Sequence, residues 1–260
     1  MKVFIIPPVD HMDISEQGDG LFVLAQLYNK YPKYKEYVLA AKAAGRFLIL
    51  DNGVGDDDPI TNQELWSLFL EIQPDEVIPL DTLYNKEATL SNFKEFVQLG
   101  KEAGITKPFI FACPQGDNLE EWLECYNVMC AEPLVSVIGM SKKTIPHIMH
   151  PGSEPDTNIS ISRNLLFSTL KETNNLKRPL HFLGAGEVVE FEAYEGEEMC
   201  RSTDSCFTVW SGMNGEDFTS RDFKRIPTPR NYFELAVYKK NLPLIYTNIE
   251  VLKKYTSGVI

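Results

Sequence analysis

Arg201-Ser-Thr-Asp204-Ser-Cys206-Phe-Thr-Val-Trp210 sets one acid among small polar and β-forming residues. Two earlier apolar runs also end in an acid: Phe47-Leu-Ile-Leu-Asp51-Asn-Gly53 and Val77-Ile-Pro-Leu-Asp81. Packing does not explain an apolar strand that ends in Asp, because a buried carboxylate is costly unless paired. One such Asp alone reads first as a helix N-cap or a loop turn. Three of them, with Gln115-Gly116, Gly139 and Gly184-Ala-Gly186 ending further apolar runs, point to a common rim. Carboxylates at Asp51 or Asp81 can accept the N–H donors of a guanine-like edge. Backbone N–H groups after Gly139 or Gly184 can donate to its O6, and Gln115 can do either. Glycines let a flat ring approach the backbone closely. A further carboxylate beneath the sugar, here Asp204, could attack C1′. Retaining glycosidases work this way, with a nucleophile and an acid/base sharing the task.

Other reactive residues read more simply as structure. His147 and His150, in Pro-His-Ile-Met-His-Pro, form a lone His-x-x-His in a loop, more often surface than metal site. His11 follows Asp10 after the first strand and reads as structural. Cys206 reads as cavity wall, since no histidine is obviously its base. Asp56-Asp-Asp58 is a solvated helix start. Gly184-Ala-Gly186 lacks the glycine spacing of a dinucleotide fingerprint. The five cysteines (113, 125, 130, 200 and 206) form no Cys-x-x-Cys pair and read as reduced thiols.

The elements that must position these residues alternate between strand and helix. Val3–Pro7 predicts a first strand, and residues 14–45 two helices separated by Pro32. Arg46–Asp51 is the second strand; a helix over Leu65–Ile72 follows a polar loop. Glu76–Asp81 is strand three, 87–104 a helix, Pro108–Cys113 strand four, 118–131 a helix and Leu134–Gly139 strand five. Residues 144–160 read as a loop and Ile161–Thr173 as a helix. Pro179–Gly184 is strand six, a helix starts at Val188, and Arg201–Phe207 is strand seven. Residues 211–230 read as loop. A helix at 231–239, a last strand at Leu244–Tyr246 and a short helix at 248–255 complete the chain. Such alternation argues for a parallel α/β protein, and a count near eight for a single-domain (β/α)8 barrel, whose active site lies at the C-terminal ends of the strands.

The 260 residues suit one such barrel. No apolar run approaches the ~20 residues of a membrane span, and Met-Lys-Val-Phe-Ile-Ile-Pro-Pro reads as a strand rather than a signal peptide. A cytoplasmic protein is expected. The net charge of −12 is uneven: residues 1–130 carry −11, whereas 221–260 carry +5. An acidic body repels nucleic acid, but the basic stretch offers one favourable face.

The ordered motifs Asp51-Asn-Gly, Asp81, Gln115-Gly116, Val137-Ile-Gly139-Met140, Phe182-Leu183-Gly184-Ala-Gly186 and Thr203-Asp204-Ser-Cys206 resemble the queuine/archaeosine tRNA-guanine transglycosylases. The resemblance spans residues 1 to about 210 and is strongest to the shorter relatives that put 7-deazaguanine bases into DNA. It implies exchange of guanine for a 7-deazaguanine by double displacement. Asp204 would be the nucleophile and Asp51 the general acid/base; Asp81 and Gln115 would grip the base, helped by Gly139, Met140, Leu183 and Gly184. No cofactor is implied. Where the family has Asp-Ser-Gly-Gly-aromatic, this chain has Asp51-Asn-Gly-Val-Gly55, without the stacking aromatic. After Asp204 it has only Cys206 and no histidine, so the family's zinc site is not expected. The chain also lacks the length for extra RNA-binding domains, and by elimination DNA is the expected partner. Arg221, Lys224, Arg225 and Arg230 would meet its phosphates. Three rival readings stand beside it: a tRNA-guanine transglycosylase; a small-molecule nucleoside- or base-processing enzyme on the same barrel, favoured by the charge; and a non-catalytic subunit of a DNA-modification assembly that binds a partner through residues 211–230.

Overall fold

The computed structural model describes residues 1–56, 59–154, 157–220 and 226–258. The strands are β1 (Lys2–Ile5), β2 (Leu21–Leu24), β3 (Leu48–Asp51), β4 (Glu76–Val77), β5 (Ile110–Ala112), β6 (Val135–Ser141), β7 (Leu180–Leu183) and β8 (Cys200–Ser205). All pairings are parallel, in the order β1-β8-β7-β6-β5-β4-β3-β2. The sheet is nearly closed. At the seam between β1 and β2, Val3 donates its N–H to the Asp19 carboxylate (2.7 Å) and accepts from the Asp19 N–H (2.8 Å). This is the architecture of a (β/α)8 barrel, as the alternation predicts.

Apart from the two-residue β4 and the polar β8 (Cys-Arg-Ser-Thr-Asp-Ser), the strands are mostly buried apolar residues, as parallel strands covered on both faces must be. Phe4, Phe22 and Phe111 surround the His181 ring, with centroids 6.0, 5.8 and 4.9 Å from it. The barrel interior is therefore packed rather than porous, and its upper end is a floor on which a site can stand.

The helices are α1 (Ala25–Lys30), α2 (Pro32–Ala43), α3 (Asn62–Ile72), α4 (Lys86–Glu102), α5 (Leu119–Ala131), α6 (Thr144–Met149), α7 (Ile159–Glu172), α8 (Phe207–Met213) and α9 (Leu242–Ser257). Local chemistry starts them where the polar loops end. Thr61 and Glu64 form a reciprocal capping box at α3, and Asn85 and Asn118 accept the first free N–H groups of α4 and α5; each such cap contributes about 1 kcal/mol. Among the described residues no helix is long and apolar enough to cross a membrane.

Several expectations are corrected. Leu21–Leu24 is a strand, not part of a helix, and it is the eighth strand that the tail was expected to supply. Its four apolar residues run straight into α1 with no breaking residue, so their spacing mimics a helical face. Leu244–Tyr246 lies inside α9, which Pro243 opens; proline suits the first helical turn, where its missing N–H costs nothing. Strand three is only Glu76–Val77, since Pro79 has no N–H to give a ladder. The 144–160 loop contains α6, and the 211–230 loop begins inside α8. The helix expected from Val188 is a 3-10 turn over Val188–Tyr194. The one expected at 231–239 is replaced by two such turns, Tyr232–Glu234 and Lys239–Asn241.

Candidate active site

The C-terminal ends of the strands open into a cleft of about 130 Å³. Asp51 from the end of β3, Asp81 beyond β4, Gln115 beyond β5, Leu183 and Gly184 at β7, and Asp204 in β8 all line it. These elements are remote in sequence, and the barrel alone brings them together. Ile6, Phe22, Leu24, Ile78 and Phe233 supply apolar wall. The lining thus combines apolar surface with a few placed carboxylates, the usual make-up of a small-molecule pocket.

Asp204 is the most constrained of the three acids and is only 6 % exposed. Its Oδ1 accepts from the Gly184 N–H at 2.8 Å and from Nε2 of His181 at 3.1 Å. Gly184 has φ +68°, and a Cβ there would press on the Lys142 side chain at 2.7 Å. Glycine is therefore what lets the chain turn its N–H toward Asp204. Oδ2 accepts no hydrogen bond among the described residues. Two donors hold one oxygen and leave the other directed to the cleft.

Asp81 anchors a second network. Its oxygens accept from Nδ2 of Asn52 at 2.9 Å and Nε2 of Gln115 at 2.5 Å. Burial pushes its carboxyl above the ordinary carboxylate value, opposed by those hydrogen bonds and by the Lys143 charge. The Gln115 Oε1 accepts from the Thr144 hydroxyl and from the Tyr84 N–H at 3.3 Å. Both its lone pairs are thereby used, so Gln115 retains only an N–H to offer a ligand. Asn52 gives its other N–H to the Pro79 carbonyl at 2.8 Å, tying the end of β3 to the segment that carries Asp81.

Asp51 is half-buried and accepts from the Gly53 N–H at 3.1 Å. Cys113, buried just beyond β5 in the cleft lining, registers the convergence of the three acids. Its thiol is pushed well above its ordinary value first by burial and then by the charges of Asp81, Asp51 and Asp204. As a reactive thiol it is thereby silenced. Cys206 is partly exposed on the cleft wall, 3.7 Å from the Thr228 hydroxyl.

Two expected base contacts lie deeper. Gly139 and Met140 are buried in β6 and do not line the cleft. A Cβ at Gly139 would collide with Cys113, Phe111 and Leu183, at 2.7 to 2.9 Å, so this glycine serves the packing beneath the site. Of the basic residues expected to meet phosphates, Arg221, Lys224 and Arg225 lie outside the described residues. Arg230 is exposed and away from the cleft lining. Lys142 and Lys143, at the end of β6, do line it. His147 pairs with Asp117 at 2.9 Å and packs on the Tyr84 ring, while His11 accepts the Val237 N–H at 2.9 Å. Among the described residues no group of three or more His, Cys, Asp or Glu is placed to hold a metal ion.

The sequence reading missed His181, Asn52, Thr144 and Phe233. For His181 a signal existed: it is the one polar residue inside the apolar run Leu180–Leu183. Phe233 had none, since only the return of the C-terminal segment brings it to the cleft. The Tyr232 hydroxyl holds that segment to the Ile6 carbonyl at 2.8 Å. No protein-family model matches the chain, and no curated protein matches it significantly.

Proposed function

We propose that this chain is a guanine transglycosylase that exchanges guanine in DNA for a 7-deazaguanine base by double displacement. One observation carries the reading: a buried acid, Asp204, has one oxygen tied by two donors and lines an apolar-walled cleft that also holds Asp51 and Asp81. A nucleophile, an acid/base and a base-gripping carboxylate on one rim are the parts that base exchange at a sugar carbon requires.

In the first displacement Oδ2 of Asp204 attacks C1′, and the bond from C1′ to N9 breaks. The electron pair passes to N9 of guanine, which takes a proton from the Asp51 carboxyl. In the second, ionised Asp51 takes the N9 proton of the incoming base. That nitrogen then attacks C1′ and releases Asp204. Asp81 accepts the N–H donors of the base edge, and the remaining Gln115 N–H donates to its carbonyl. The base would lie between apolar side chains such as Leu183 and Phe233, since the segment after Asp51 offers Val54 rather than an aromatic. The target nucleotide must leave the stack to reach the cleft.

The test is incubation of the protein with duplex and single-stranded DNA and a 7-deazaguanine, followed by nucleoside mass analysis. Incorporation is expected, and its absence on every DNA offered sinks the reading. The net charge of −12 favours a second reading, a small-molecule nucleoside- or base-processing enzyme on the same acids. Base exchange on free nucleosides, with no salt-sensitive retention of DNA, would select it.

A further inference from the structure

Beneath Asp204 a chain of polar groups, buried except for the half-buried Arg201, crosses the barrel. Glu76 on β4 receives both terminal nitrogens of Arg201, at 2.5 and 2.8 Å. β4 and β8 stand four strands apart in an eight-stranded order, so this ion pair spans opposite walls. Nε of Arg201 donates to the Ser202 hydroxyl oxygen at 3.1 Å. Ser202 lies 2.8 Å from Nδ1 of His181, whose Nε2 lies 3.1 Å from Oδ1 of Asp204.

The direction of every hydrogen bond follows from its ends. A carboxylate only accepts, so the His181 Nε2 must carry a hydrogen. Burial holds the ring below its ordinary value, against the opposing pull of Asp204, so the imidazole is neutral and Nδ1 is an acceptor. With Nδ1 an acceptor, the Ser202 hydroxyl donates to it, while its oxygen accepts from Nε of Arg201. The ring cannot swing away, since Phe4, Phe22 and Phe111 enclose it.

We infer that His181 is a positioning residue: an Nε2–H donor, its tautomer fixed by the Asp204 carboxylate on one side and supported by Ser202 and Arg201 on the other, that holds Oδ1 of Asp204 and leaves Oδ2 as the attacking oxygen. Its effect on turnover rests on the base-exchange reading; the tautomer does not. His181 touches no substrate. Its loss is expected to slow the displacement without loosening the grip on the base, which lies with Asp81 and Gln115.

Two measurements test this. The first is the ¹⁵N-histidine NMR spectrum of the full chain at neutral pH, where His181 is recognised by the slowest ring-proton exchange. The Nε2–H neutral tautomer is expected, and an Nδ1–H tautomer or an imidazolium overturns the inference whatever the enzyme does. The second compares His181→Phe with His181→Gln, which keeps an N–H at a similar reach. In folded H181F, kcat is expected to fall tenfold or more with KM for the base within threefold, and H181Q to recover part of the loss. A fall below fivefold, a KM that rises in step, or no recovery in H181Q overturns it. A native protein without any exchange defeats the proposed function instead, and leaves the spectrum to decide the tautomer.

Discussion

Arg163 donates a hydrogen bond to the carbonyl of Leu183, and the peptide unit that carries this carbonyl also carries the Gly184 N–H that reaches Asp204. Arg163 is wholly buried on α7 and is paired with Glu190 at 3.3 Å. A helix behind the barrel thereby orients the peptide that holds the proposed nucleophile. Replacing Arg163 by Met would break this buried ion pair, at a cost of about 3–5 kcal/mol. Urea unfolding is the check. R163M should lose that much stability, and R163M with Glu190→Leu should lose less, because both members of the pair are then replaced by apolar side chains.

Asp81 should make stability depend on pH in a definite sense. Its folded value is raised by burial, so the folded state holds this proton at pH values where the unfolded chain has released it. The contribution of Asp81 is therefore favourable below its ordinary value near 3.8 and is lost as pH rises above it. Measured by urea unfolding between acidic and neutral pH, the native chain should lose stability relative to Asp81→Asn as pH rises. A difference that stays flat would contradict the burial argument.

Asp51→Asn should keep the fold, because Asp51 is half-buried, and should lower kcat by about 10²–10⁴, the usual range for losing a general acid/base. Steady-state exchange of labelled guanine is the assay. Activity near the native level would remove Asp51 from the mechanism.

Lys142 lines the cleft, and no salt bridge to it occurs among the described residues. If the target is DNA, Lys142→Ala should weaken binding about equally on all sequences and reduce the slope of log K against log salt by about 1. Filter binding across a salt series measures this. An unchanged slope would place the phosphate contacts elsewhere.

Asp51 and Asp81 were legible because each ends an apolar run, where packing offers no reason for a charge, and Asp204 because it is the one acid in a short run of small polar and β-forming residues. Barrel topology then turns strand ends into neighbours, so order along the chain was enough to place Asp51, Asp81 and Asp204 on one rim. Leu21–Leu24 was not legible as a strand, since apolar residues at 21, 24 and 28 fit a helical face and nothing separates β2 from α1. Gly139 and Met140 were placed on the right strand, but depth along a strand is decided by the size of the neighbours, here Phe111, Cys113 and Leu183. The role of His181 depends on partners four strands apart, a relation that no local pattern records.

The central claim is that Asp204 becomes covalently joined to the sugar. Mass analysis of the protein, denatured after incubation with guanine-containing DNA and no incoming base, tests it most directly. An adduct that maps to Asp204 and is missing from Asp204→Asn, together with loss of exchange in that variant, is the expected result. An adduct on another residue, or exchange that persists in Asp204→Asn, would contradict the account.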